Sequence, residues 1–158
     1  MKSAPGTRAS ARGLKVGLLC SLFNEGIVEG LYRGAREALL EMGASEGDLA
    51  RIDVPGAFEL PLAARTLALS GRFDALVALG AVVRGETDHY LHISREATSG
   101  LQKVALETGI PIGFGVLTLS KASQAKSRAG AGKGNKGAEA ARAAVAMAEL
   151  LRTWGPRG

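Results

Sequence analysis

The sequence predicts a single-domain α/β fold, a three-layer α/β/α sandwich around a four-stranded parallel sheet. Four strand-length apolar runs occur along the chain, and a helical pattern follows each of them. Strands that alternate with helices at this spacing favour parallel pairing with right-handed crossovers. The chain has 158 residues, 46% of them apolar, which is enough for one core and too little for two.

The first strand and helix follow a basic, polar N-terminal arm over residues 1–13, which we expect to be flexible. Residues 14–20 form an apolar run typical of a buried strand. Asn24 is a residue type that caps helices, and Gly43 is one that ends them. Between them an apolar stripe predicts a helix: Ile27, Leu31, Ala35, Ala38 and Met42.

The second and third strands are predicted at 51–54 and 73–83. A helix over 58–69 connects them, and it tolerates Pro61 because this residue lies in the first turn. The helix after the third strand ends at Gly109 and has an apolar stripe of Tyr90, Ile93, Ala97, Leu101 and Val104.

The fourth strand is predicted at 111–119. A glycine-rich turn over 129–137 then leads to a last helix over 138–152. We expect this helix to bury one alanine-rich side, formed by Ala140, Ala144, Met147, Ala148 and Leu151. The predicted domain spans residues 14–154, and residues 155–158 form a short tail.

Composition excludes several classes of function. The formal charge is +5, but the basic residues are scattered and aromatic residues are only 4%, so we expect no nucleic-acid partner. No apolar run approaches membrane-spanning length and the N-terminus lacks a secretory apolar segment, so we expect no membrane partner. The one cysteine, Cys20, predicts a cytoplasmic protein without disulfides and reads as a small buried apolar residue.

Three strand-to-helix junctions carry residues suited to chemistry. In open parallel sheets ligands bind beyond the carboxyl ends of the strands, where Phe23, residues 56–59 and residues 85–89 are expected. Two aromatic rings, the Glu59 carboxylate, a phosphate-compatible turn and His89 suit a flat heterocycle with a phosphorylated partner. Taken singly, the two phenylalanines also fit as core aromatics, and Glu59 fits as a first-turn carboxylate.

His89 also supports a rival hypothesis. His92 and Glu96 follow at i+3 and i+7 on one helix face, a spacing that could hold a metal ion in a metal-assisted hydrolase. The glycine-rich turn does not match a Walker loop, because Lys133 precedes a glycine and the first required glycine is Ser127. Arg128 is the best anion ligand near that turn, which otherwise reads as a flexible, solvated segment.

Seven motifs in order resemble the 6,7-dimethyl-8-ribityllumazine synthase family over about residues 16–151. They are Phe23-Asn24, Gly34-Ala35, residues 54–61, Gly85-Glu86-Thr87 with His89, residues 114–118, residues 128–130 and residues 134–137. The resemblance implies a flavodoxin-like fold and the penultimate step of riboflavin biosynthesis. That step is the condensation of 5-amino-6-(D-ribitylamino)uracil with 3,4-dihydroxy-2-butanone 4-phosphate, with loss of phosphate and water and without metal or organic cofactor.

The resemblance also implies roles for individual residues. His89 transfers protons, and Glu86, Thr87 and Arg128 bind the phosphate. The pyrimidine and its ribityl chain contact Phe23, Ala57, Phe58, Glu59, Ala81, Val82, Val83 and Phe114. Two alternatives stay open, namely the archaeal type of riboflavin synthase on the same fold and a shell protein with vestigial catalysis.

The same resemblance also implies that the chain assembles into an oligomer. Family sites lie between the subunits of a homopentamer, so Phe114 and Arg128 are expected to reach the site of a neighbour. A hollow icosahedral shell of twelve pentamers stays open, as does riboflavin synthase as a partner. The chain departs from the family pattern at Leu22, at Asp88, over residues 119–122 and at Gly132-Lys133, and none of these departures removes a proposed catalytic group.

Overall fold

A computed structural model describes residues 9–156 of the chain. Its four strands are β1 (Val16–Ser21), β2 (Leu49–Val54), β3 (Ala75–Val83) and β4 (Ile112–Leu119). Its α-helices are α1 (Glu25–Glu41), α2 (Leu60–Leu69), α3 (His89–Thr108), α4 (Ala125–Ala129) and α5 (Lys136–Trp154). Short 3-10 turns precede β2, α2 and α4.

The sheet has the order β2-β1-β3-β4, with every neighbouring pair parallel. Helices α1, α4 and α5 pack on one face, and α2 and α3 pack on the other. The predicted three-layer, flavodoxin-like sandwich is therefore confirmed. After β2 the chain crosses over β1 to reach β3, so β1 and β3 form the switch point at whose carboxyl edge such sheets bind ligands.

The prediction for the last third of the chain needs three corrections. Helix α4 interrupts what was expected to be an irregular segment, and α5 begins at Lys136 rather than at 138. Met147 and Leu151 are exposed, not buried, and their places in the core are taken by Ala141 and Val145. Helix α5 contacts both α1 and the sheet, so its buried side is centred on alanines and does not follow its largest apolar residues.

The N-terminal arm can be described only in part. Residues 1–8 lie outside the described residues, and the prediction of flexibility falls mostly on them. Ala11 is fully buried, and its N–H donates to the carbonyl oxygen of Met42 at 2.9 Å. Within residues 9–156, none of the helices combines the length and apolar character needed to cross a membrane.

Candidate active site

A cleft of about 370 Å³ opens at the carboxyl ends of β1, β2 and β3. The loops after these strands and the first turns of α3 enclose it. Nine of the twelve residues that the family resemblance assigns to the site line this cleft, namely Phe23, Ala57, Phe58, Glu59, Ala81, Val82, Val83, Thr87 and His89. Its position is the one expected for a ligand site in a doubly wound sheet.

Two aromatic side chains stand at the rim of the cleft. Phe23 is 73% exposed and Phe58 is 59% exposed, so neither is a core residue. The Glu59 carboxylate lies beside Gly56, where its Oε2 would be 3.2 Å from a Cβ at that position. Exposed rings can stack on a flat heterocycle, which a buried phenylalanine cannot do. The neighbouring carboxylate can accept hydrogen bonds from the N–H groups of that heterocycle.

Asn24 has a different role from the one predicted. It precedes α1, but its side chain does not cap the helix, and its backbone is left-handed with a φ of 61°. Asparagine tolerates this conformation better than most residues. The side-chain Nδ2 donates to the carbonyl oxygen of Ala81 at 2.9 Å, which ties the loop after β1 to the end of β3. Asn24 thus fixes the distance between two walls of the cleft.

His89 is the first residue of α3, and its side chain is exposed to the cleft. Its backbone N–H donates to Thr87 Oγ1 at 3.3 Å, which folds the loop over 85–88 onto the helix start. A helix of this length places its positive dipole end at this loop. The arrangement brings an imidazole and an anion-favouring helix end to the same opening.

Three residues assigned by the resemblance lie outside the lining of the cleft in the described chain: Glu86, Phe114 and Arg128. Phe114 is 47% exposed on the edge strand β4 and pairs with Ala78, which comes before the cleft-lining part of β3. Arg128 lies on α4, and its Nη1 donates to the carbonyl oxygen of Gln124 at 2.9 Å. The cleft of one chain therefore lacks the Phe114 and Arg128 side chains, and Glu86 lies exposed on the neighbouring loop.

Sequence reasoning missed several residues that line the cleft. Tyr90 and Ile93 were assigned to the buried stripe of α3, but both are only partly buried and contribute to the cleft wall. The Arg84 guanidinium lies 5.8 Å from the centre of the Tyr90 ring, a distance that permits a cation–π contact. The sequence does not distinguish an apolar residue at the start of a helix from one of the same stripe deeper in the core. The neighbouring loops alone determine how far the first is buried.

Two other chemistries gain no support from the structure. His92 and Glu96 are exposed, and within residues 9–156 no group of three or more His, Cys, Asp or Glu side chains is placed to hold a metal ion. Cys20 is fully buried in β1, and burial raises the pKa of its thiol to about 12. A thiol of that pKa is not a nucleophile near neutral pH, so the prediction of a small buried apolar residue is confirmed.

Comparison with known proteins gives one consistent answer. A family model described as 6,7-dimethyl-8-ribityllumazine synthase matches residues 13–152. A protein of that name from Syntrophus aciditrophicus (strain SB) is 48% identical over 145 residues, which is 92% of this chain and 94% of the relative. The family model spans the cleft residues as well as Phe114 and Arg128, and neither match favours the riboflavin synthase or vestigial-shell alternatives.

Proposed function

This chain belongs to the 6,7-dimethyl-8-ribityllumazine synthase family, and we propose that its reaction takes place in the cleft at the ends of β1, β2 and β3. The chain is a transferase that condenses 5-amino-6-(D-ribitylamino)uracil with 3,4-dihydroxy-2-butanone 4-phosphate to form the lumazine. Holding two small molecules in contact supplies much of the acceleration of such a condensation. A shaped cleft with few charged groups suits that task.

The pyrimidine binds at the aromatic rim in this proposal. Phe23 and Phe58 stack against the ring, Glu59 accepts hydrogen bonds from its N–H groups, and the backbone over 81–83 contacts the ribityl chain. The exposure of the two rings in the isolated chain is the observation that supports this placement, because exposed apolar rings at a cleft lose unfavourable hydration when a flat ligand covers them.

Truncating the exposed ring of Phe58 tests the pyrimidine site. We expect Phe58→Ala to raise the KM for the pyrimidine substrate about tenfold, since stacking on an aromatic ring contributes of that order. The KM for the butanone phosphate should stay as it is. Trp154→Ala removes another exposed aromatic, 82% exposed at the end of α5, and serves as the matched control. Equal KM values for the pyrimidine in both variants would refute the stacking role.

His89 is the proposed proton carrier. The amine of the pyrimidine adds to the ketone and one water leaves as the imine forms, after which phosphate is eliminated. The ribitylamino nitrogen then adds to the remaining carbonyl, and a second water leaves as the ring closes. Each of these steps moves protons between nitrogen, carbon and oxygen atoms. Imidazole can both donate and accept protons near neutral pH, and His89 is the imidazole that lines the cleft.

The phosphate contact requires a second subunit. We propose a homopentamer in which Arg128 and Phe114 of one subunit complete the cleft of its neighbour. The support is their position on α4 and on the edge strand β4, outside the cleft of their own chain. Exposed apolar side chains on several helices, such as Leu62, Leu106 and Leu150, leave ample surface for such contacts. A cytoplasmic location and a shell of twelve pentamers stay predictions.

Mixing two impaired variants tests whether the cleft is shared. Co-expressed His89→Ala and Arg128→Ala chains should form mixed oligomers in which about a quarter of the interfaces carry both native residues. At a butanone phosphate concentration well below the raised KM of Arg128→Ala, lumazine formation should then rise well above that of either variant expressed alone. Light scattering on the same samples gives the number of subunits. Activity no higher than the sum of the separate variants would contradict a cleft shared between neighbours.

A further inference from the structure

Asn135 joins three segments of the chain through one buried side chain. It is 4% exposed and lies in the connection between α4 and α5. Its Nδ2 donates to the carbonyl oxygens of Gly30 at 3.0 Å and Gly130 at 3.1 Å, and its Oδ1 accepts from the N–H of Ala138 at 3.0 Å. The side chain caps α5 and at the same time binds α4 to the middle of α1.

Two glycines of α1 make room for this contact. A Cβ on Gly34 would clash with the Asn135 amide, because it would lie only 2.1 Å from its Oδ1. A Cβ on Gly30 would lie 2.1 Å from the carbonyl oxygen of Ala129, the last residue of α4. The Gly34-Ala35 motif and the motif over 134–137 are therefore two halves of one packing arrangement.

Helix α4 depends on such external contacts. It has five residues, and a helix of little more than one turn is not stable in isolation. At its start, Gln124 Oε1 accepts hydrogen bonds from the N–H groups of Ser120 and Lys121 at 3.0 and 3.2 Å. At its end, Asn135 Nδ2 donates a hydrogen bond to the carbonyl oxygen of Gly130. Arg128 lies between these two attachments, two residues before Gly130.

We propose that Asn135 is a positioning residue for Arg128, and that it sets the affinity for the phosphorylated substrate without touching that substrate. The inference rests on the proposed role of Arg128 in binding the phosphate. A guanidinium binds phosphate through a planar pair of N–H groups, so a small displacement of α4 misaligns both bonds. The pyrimidine site lies at the end of the sheet and does not depend on α4.

Asn135→Asp separates the two functions of this side chain. Aspartate keeps an acceptor for the N–H of Ala138 and caps helices as well as asparagine, but it cannot donate to Gly30 and Gly130. We expect the KM for the butanone phosphate to rise about tenfold while the KM for the pyrimidine stays constant. If this variant fails to fold, Asn135→Ser tests the same loss without adding a charge, and the same split in KM is expected.

Gly34→Ala perturbs the same contact from α1, because its methyl group displaces the Asn135 amide. It should reproduce the rise in KM for the butanone phosphate. Gly26→Ala is the matched control, since it lies on the same helix and a Cβ there meets nothing within 4 Å. A normal KM for the butanone phosphate in folded Asn135→Asp or Asn135→Ser oligomers would overturn the inference.

Arg128→Lys distinguishes this inference from the proposed function. In the Asn135→Asp, Arg128→Lys double variant the rise in KM should be smaller than the product of the two single effects, because both act on one contact. A raised KM in Arg128→Lys together with a normal KM in Asn135→Asp would overturn the role of Asn135 alone. A normal KM for the butanone phosphate in Arg128→Ala, which removes the charge as well as the planar group, would overturn the phosphate role of Arg128 itself.

Discussion

Replacing His89 with alanine is expected to slow lumazine formation about a hundredfold, the lower end of what general acid–base catalysis contributes. The loss of rate in this variant stays at the lower end because the cleft still holds the two substrates together. The acceleration that comes from this proximity does not need the imidazole. The loss should fall on kcat and leave both KM values close to normal. Steady-state rates followed by lumazine fluorescence, with each substrate varied in turn, provide the measurement.

His92→Ala is the matched control for His89. His92 lies one turn further along α3 and is exposed, but it does not line the cleft. It should retain normal kcat, and it also removes a residue on which the metal-hydrolase hypothesis relied. If His89→Ala and His92→Ala form lumazine at the same rate, the assignment of proton transfer to His89 is wrong.

Arg128→Lys should raise the KM for the butanone phosphate at least about tenfold, and Arg128→Ala should raise it further. Lysine keeps the positive charge but offers a point charge on a flexible chain, whereas the guanidinium presents two parallel N–H donors to phosphate oxygens. The hydrogen bond from Nη1 to the carbonyl of Gln124 already orients that plane, and lysine cannot reproduce the orientation. The KM for the pyrimidine should not change.

Lys126→Ala provides the control for charge alone. Lys126 lies on the same short helix, is exposed, and carries the same formal charge as Arg128. Its removal should leave the KM for the butanone phosphate within the error of the measurement at moderate ionic strength. Equal KM values for this substrate in Arg128→Lys and the unaltered enzyme would show that the planar geometry of arginine is not used.

Most of the fold could be predicted because its elements follow local patterns. The apolar runs at 14–20 and 73–83 correspond to β1 and β3, and the stripe of α3 is buried at Ala97, Leu101 and Val104. Helix α4 could not be predicted, because five residues show no periodicity and its contacts come from Gln124 and from the distant α1. A one-turn helix exists only through its tertiary neighbours.

The cleft was predictable in position but not in detail. Parallel strands bring their carboxyl ends to one edge, so the residues after β1, β2 and β3 had to lie near each other. Whether Phe23 and Phe58 are core residues or an open rim depends on what covers them, and the sequence contains no information on that cover. The local pattern around Phe114 and Arg128 likewise does not say how far they lie from the cleft. Their distance follows from the sheet order, in which β4 is the edge strand beside β3.

Asn24 and Asn135 illustrate the boundary between local and tertiary information. Each asparagine directly precedes an α-helix, but the sequence pattern predicted a helix start only after Asn24 and placed the start of α5 at residue 138. Asn135 caps its helix, whereas Asn24 donates to Ala81 across the cleft. Local pattern was sufficient for the order and type of the strands and of the long helices, though not for α4, because backbone propensity and apolar periodicity act within a few residues. The partner of each amide depends on which distant carbonyl the packed sheet places within hydrogen-bond distance.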